Sequence, residues 1–463
     1  MRLAVSFVLM LWVGFTGRSG VAQQFNAYLP LVLPAGSAYP FPTEETRLID
    51  MRNRQQVCKM RAHAWAIFSG LTQPVDGRSD TAVFESWFTK CDVFLNLKCS
   101  GASNAKSKGE APNTVKLIQA LEIPPQVLAE AEDLFLSGEP IAPALLKEAA
   151  KAPLAIVLYN QEALRHIRKY RLWDSCELDS INRELALLGS PITEREIPSF
   201  PPKTVVLKTE WAIVPHDPQA PPLYVSAWDT RRVFIKGEAS SPDTPPPDGH
   251  GGWARTYLVD PIEGKCDPKT GDQRIPVSCF FHFKLTDQDA QAANQLVNLR
   301  IVRNGASGGD YAILLGLHVI TREIPDWTWS TFWWHDHPND GLYAEGRPDT
   351  LPPLWRHYLM DTTLSMRTPA ESDGKEKICF NPYLETWQKN GMSSNCINCH
   401  SRSVYPTVKI PPIPWRGEAH RFPQDSYYCG ETGLSFLWSI RDNVSESHQR
   451  FLQAWYQLML QLR

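Results

Sequence analysis

Beyond its first 22 positions this sequence has no run of eighteen uninterrupted apolar residues, so no later segment is long enough to cross a bilayer as a helix. It also has no basic stripe or block. Lys and Arg number 47 against 50 Asp and Glu, a formal charge of −3, which argues against a nucleic-acid partner. No phosphate-cradling Gly-x-x-x-x-Gly-Lys pattern, no dinucleotide-type glycine pattern and no internal repeat occurs. These absences set aside P-loop chemistry, a Rossmann cofactor site and solenoid architectures. Shortage of apolar residues is not a feature of this chain: 43% hydrophobic content with 16 Trp and 19 Phe points to packed domains rather than disorder.

The N-terminus reads as an export signal of residues 1–22. Arg2 is the positive start, Leu3 to Phe15 the short apolar core, and Gly20-Val21-Ala22 the small residues at a cleavage site. No membrane span is then expected in the mature chain. The cysteines agree with export. Of 10, two stand in Cys396-Ile397-Asn398-Cys399-His400, and the even remainder suggests disulfides formed in an oxidising compartment. Close spacing favours Cys91–Cys99 and Cys266–Cys279, whereas Cys58, Cys176, Cys379 and Cys429 have no pairing that spacing decides.

The Cys396–His400 stretch has the spacing of a c-type haem attachment sequence. Two thiols separated by two residues reach the two vinyl groups along one porphyrin edge, and the adjacent imidazole turns under the iron. A zinc site needs a second Cys or His pair at similar spacing, and no second Cys-x-x-Cys exists. The expected cofactor is one covalent haem c, held by Cys396 and Cys399 with His400 as proximal iron ligand.

Length and patterning predict an α+β chain: a mainly helical domain over residues 23–195, then a β-rich haem domain over 196–463 that ends in a helix. Apolar residues three and four apart in Leu164–Arg168 and Ile181–Leu188 mark helices. Pro191, Pro198, Pro201 and Pro202 mark the boundary. Thr204–Leu207, Tyr224–Trp228, Arg232–Ile235 and Cys279–Leu285 read as strands, interrupted by a helix from Thr286, its N-cap, to Leu296. Ser445–Leu462 returns to helix, and Ser100–Pro112 and Ser241–Gly252 are loops.

The segment CFNPYLETWQKNGMSSNCINCHSR (Cys379–Arg402), with GLHVITREIPDWTWSTFWWHD (Gly316–Asp336) upstream, resembles a group of bacterial exported monohaem c-type cytochrome family proteins. The resemblance implies a periplasmic location and haem c, and covers the second half of the chain better than the first. It implies no substrate.

The second axial position separates a carrier from a catalyst, because two protein ligands make an electron-transfer iron and an open side admits substrate. Met392 lies close before Cys396 and suits a loop or core better. His318 falls in a strand Tyr311–Glu323. In Trp327–His337 alternate residues are Trp327, Trp329, Thr331, Trp333, His335 and His337, which a strand places on one side. With Pro325-Asp326 as the turn centre, His318 faces Trp333 and Gly316 faces His335. His318 is then the candidate distal ligand and His335 a haem-pocket residue; the plainer alternative for each is a core histidine bonded to a carbonyl. His357 and Met360 are weaker distal candidates, and a metal site at His335 and His337 lacks further ligands nearby. The expected function is electron transfer by a periplasmic c-type cytochrome with an unidentified redox partner protein. A haem-dependent oxidoreductase of peroxidase or oxidase type, or a haem-based small-ligand sensor, is the alternative.

Overall fold

The computed structural model describes residues 28–75, 81–95, 97, 120–122, 125–143, 145, 153–228, 253–266, 273–295, 305–339, 341–365, 377–387, 391, 394–406, 432–444 and 446–461. The export segment, Arg232–Ile235, both expected loops, Met392, Cys99 and Cys429 lie outside them.

Among the described residues the fold is a mixture of helix and antiparallel sheet. The strands are β1 (Phe88–Thr89), β2 (Leu154–Tyr159), β3 (Val205–Val214), β4 (Tyr224–Trp228), β5 (Trp253–Asp260), β6 (Arg274–Pro276), β7 (His282–Lys284), β8 (Tyr311–Thr321), β9 (Thr328–Trp334), β10 (Tyr358–Thr363), β11 (Val404–Tyr405) and β12 (Thr432–Gly433). The main sheet has the order β1-β2-β3-β8-β9-β10, with β7 also on β8. A second sheet holds β4, β5 and β6, and β11 pairs with β12.

The main sheet is covered on both faces, which is why its strands read as nearly continuous apolar runs. One face carries Leu207, Leu317, Phe332 and Met360 into a core shared with the Val57–Leu71 helix. There Phe68 stacks on Phe332 at 4.1 Å between ring centroids. The other face carries Tyr159, Val206, Ile320 and Trp329 into a second core with Ile397, Leu434, Leu437 and Ile440.

The expected boundary at 195 does not separate a helical domain from a β domain. β2, from the first half, pairs with β3 from Leu154↔Trp211 to Tyr159↔Val206, and β1 pairs with β2. The proline-rich passage is not a free linker either. Ile197 and Phe200 are buried, and the Pro198 carbonyl lies 2.7 Å from His166 Nε2. Local periodicity could not show this, because the partner of β2 arrives only after two intervening helices.

Other expectations are met. The helix Asp287–Ala293 starts at Thr286, whose hydroxyl accepts from Asp289 N at 3.1 Å while the Asp289 carboxylate accepts from Thr286 N at 2.9 Å. A helix runs from Glu446 to Gln461. Cys266–Cys279 is a disulfide, and Cys91 is disulfide-bonded. The idea that every cysteine outside the motif is bridged is corrected, since Cys58, Cys176 and Cys379 are free thiols.

Candidate functional site: a cavity at the Cys396–His400 helix

The motif forms one short helix, Cys396–His400, and its neighbours explain why it is held there. Asn395 caps it, accepting from Ile397 N at 2.9 Å and donating through Nδ2 to Lys377 O at 2.8 Å. Cys396 N donates to Cys379 O at 3.1 Å.

His400 is oriented through its other ring nitrogen. Nδ1 donates to Phe436 O at 2.8 Å, which assigns the proton to Nδ1 and turns Nε2 into the atom with a free lone pair. Ser435 and Phe436 both hold left-handed φ values, 49° and 67°. Two consecutive non-glycine residues in that region are costly and point to a carbonyl aimed for a purpose. The Trp329 ring lies 4.6 Å from the imidazole, centroid to centroid. Loss of water around the ring pushes its pKa down to about 4, so His400 stays neutral across the physiological range.

Cys396, Cys399 and His400 all border one cavity of about 850 Å³, between the second face of the main sheet and the chain around residues 434–442. Two thiols on one wall beside a neutral imidazole with a committed Nδ1 are the donor set a covalent haem requires, so the residues fit that group.

His318 also borders this cavity, as expected from its strand. The register by which it gets there differs from the sequence expectation. His318 pairs with Thr331 and Gly316 with Trp333, so opposed residue numbers sum to 649 rather than 651. The loop between Thr321 and Thr328 is longer than two residues because Pro325 cannot enter a tight hairpin turn, and Trp327 takes the left-handed conformation at φ 60°. The shift is an even number, so the alternation keeps its face and Trp329 reaches the cavity.

The chemistry of His318 is not that of a ready iron ligand. Its Nε2 lies 3.3 Å from Glu385 and 3.4 Å from Glu210. Burial disfavours the charged ring, but the Glu385 and Glu210 carboxylates overcome it and raise the pKa to about 10. The protonated ring has no lone pair for iron, so in this arrangement His318 stands as a cavity cation, and ligation would require it to release that proton and its contact with Glu385. The two carboxyls are not equivalent. Burial pushes Glu210 up, whereas at Glu385 His318, helped by the Asn381 N–H and Lys208, outweighs burial and holds it down, so the ion pair is foremost His318–Glu385. Lys208, opposite His318 on β3, also borders the cavity, and burial lowers its pKa.

His335 is elsewhere. β9 ends at Trp334, so the alternation stops one residue short. His335 Nε2 bonds Trp228 O at 3.1 Å, and its Nδ1 accepts from His337 N at 3.0 Å. It does not border the cavity and is corrected from pocket residue to core histidine. Asp336 beside it accepts from Arg255 Nη2 at 2.9 Å, which together with the Tyr257 hydroxyl holds its pKa near 2 against burial. Met360 lies on the opposite sheet face, and His357 Nδ1 is near Cys266.

Sequence reasoning missed Lys208, Glu210, Glu385 and Cys379. The available signal was the charged Lys208 and Glu210 inside the mostly apolar Val205–Val214 run, since charges in a doubly covered strand need partners. Glu210 sits at a β-bulge, which re-aims its side chain.

No family model, curated protein or solved structure matches this chain.

Gly316 has a role that its position opposite Glu210 explains. A Cβ there would stand 2.7 Å from Asn381 Nδ2, 2.8 Å from Glu210 Oε2 and 3.0 Å from Phe332 O. Asn381 Nδ2 itself donates to Thr331 Oγ1 and Phe332 O, both at 3.0 Å, and so seats the segment that carries Glu385. Gly316→Ala is therefore expected to destabilise the chain by about 1–3 kcal/mol, as overpacking does. Denaturant midpoints check this, and an unchanged midpoint would show that the segment has slack.

Proposed function

We propose that this chain is an exported, periplasmic c-type cytochrome that carries one haem on Cys396 and Cys399, with His400 as proximal iron ligand, and that it transfers electrons to or from a partner redox protein. The observation that carries this reading is the convergence of both motif thiols and the oriented, neutral His400 on one cavity of about 850 Å³. The haem supplies a one-electron couple. The chain's own residues anchor its edge, orient the proximal imidazole through Phe436 and exclude water with Trp329, Leu437 and Ile320.

A second reading is favoured by the His318–Glu385 pair. Among the described residues bordering the cavity there is no methionine, and the histidine besides His400 is cationic. An iron left open on one side suits a haem-dependent oxidoreductase or a small-ligand sensor. The two readings separate on the ferrous protein with carbon monoxide. A shift of the Soret band on mixing shows an accessible iron and favours the second reading over the carrier. A band that stays put removes the second reading and leaves the carrier, and a matured protein without any haem removes both.

A further inference from the structure

The haem reading uses Cys396, Cys399 and His400 but leaves a third cavity thiol unexplained. Cys379 is fully buried and free, and its Sγ lies 3.8 Å from the Sγ of Cys396. The two backbones are fastened together on both sides of this contact. Cys396 N donates to Cys379 O at 3.1 Å, and Cys379 N donates to Ser394 O at 3.0 Å. Cys379 and Asn395 form a parallel bridge. A disulfide needs about 2.05 Å between sulfurs and neighbouring Cα atoms. Here the backbone already brings the residues side by side, so rotation about the side-chain bonds closes the remaining gap.

We propose that Cys379 is the disulfide partner of Cys396 in the haem-free chain, so that this bond guards one of the two attachment thiols until it is reduced. The reaction is thiol–disulfide exchange with an external disulfide. One thiol attacks that disulfide with loss of its proton, forming a mixed disulfide and releasing one external thiolate. The second thiol loses its proton and displaces the other external sulfur. Two S–H bonds and one external S–S bond are exchanged for one Cys379–Cys396 bond and two external thiols. The pair of electrons from the cysteines ends on the external dithiol. While the bond stands, Cys396 has no thiol to add to a vinyl group, and attachment is confined to Cys399. The bond itself does not depend on the haem reading; its effect on attachment does.

The segments separate cleanly for analysis, because trypsin cuts after Lys389 and places Cys379 on residues 378–389 and both motif cysteines on 390–402. The full haem-free chain is treated with glutathione disulfide, alkylated and digested without reduction. The expected product is 378–389 linked to 390–402, retained in Cys399→Ser and lost in Cys396→Ser. Both cysteines alkylated, or an internal Cys396–Cys399 bond alone, overturns the proposal. Ferrous haem is then offered to oxidised chains with or without prior dithiothreitol. Wild type is expected to load haem through one thioether, at Cys399, without dithiothreitol and through two after it, and Cys379→Ser or Cys379→Ala equally in both conditions. A linked peptide with loading indifferent to dithiothreitol overturns the guarding role. Failure of every fully reduced variant to load haem, with the linked peptide present, counts against the haem reading and not against the bond.

Discussion

Serine at both Cys396 and Cys399 is expected to leave the matured protein with no haem that survives acid–acetone extraction or a denaturing gel, whereas wild type keeps one per chain through both. Each single substitution keeps one thioether. The reason is local: both sulfurs lie on one five-residue helix that borders the cavity. His400 alone supplies a coordination bond, which denaturation breaks. Burial pushes the Cys399 thiol up to about 11, and the neighbouring Cys379 thiol, with burial, raises Cys396 well above its ordinary value, so both stand as neutral thiols before reaction. Haem stripped from the wild-type protein by acid–acetone would sink the covalent assignment.

The second large effect is expected at His318. Its replacement by Ala leaves Glu385 and Glu210 inside the cavity wall without their cation. Breaking a buried ion pair from one side costs on the order of 3–5 kcal/mol. The ferric spectrum should keep its spin state, because a cation held by two carboxylates does not ligate iron. A low-spin iron that turns high-spin in a folded His318→Ala protein would restore the distal-ligand role.

The same cluster sets a pH dependence. In the folded chain His318 titrates near 10, above the 6.5 of an ordinary histidine. Its contribution to stability is therefore complete below about pH 6.5 and is lost as pH rises through about 10. Glu385 is depressed below its ordinary 4.5, so its contribution is complete above that value and is lost as pH falls through the lower folded pKa. The groups facing the pair are Glu210, which burial raises, and Lys208, which burial lowers. The gap in denaturation midpoint between wild type and His318→Ala should be widest near pH 5–6.5 and close progressively toward pH 10. A gap that widens with pH would mean that the pair is not ionic.

What the sequence by itself determined was what depends on neighbours within a few residues. Cys396, Cys399 and His400 stand within five consecutive residues, so their juxtaposition was legible from spacing. Thr286 and Asp289 form a capping box three residues apart, and the Cys266–Cys279 loop closes over a short span, so both were legible too. The alternation from Trp327 named the right face of β9, because a strand's period holds under any even shift of register. Tertiary structure decided everything that long-range pairing sets. It joined β1 and β2 to the strands of the second half, since one sheet buries more apolar surface than two half-sheets with open edges. It ended β9 before His335 and turned that ring to the Trp228 carbonyl. It brought Glu210 from a bulge in β3 and Glu385 from the segment seated by Asn381 onto His318, which made a cation of an expected ligand. A side chain's charge state follows from what stands within a few ångströms of it, and for His318 those neighbours come from distant parts of the chain.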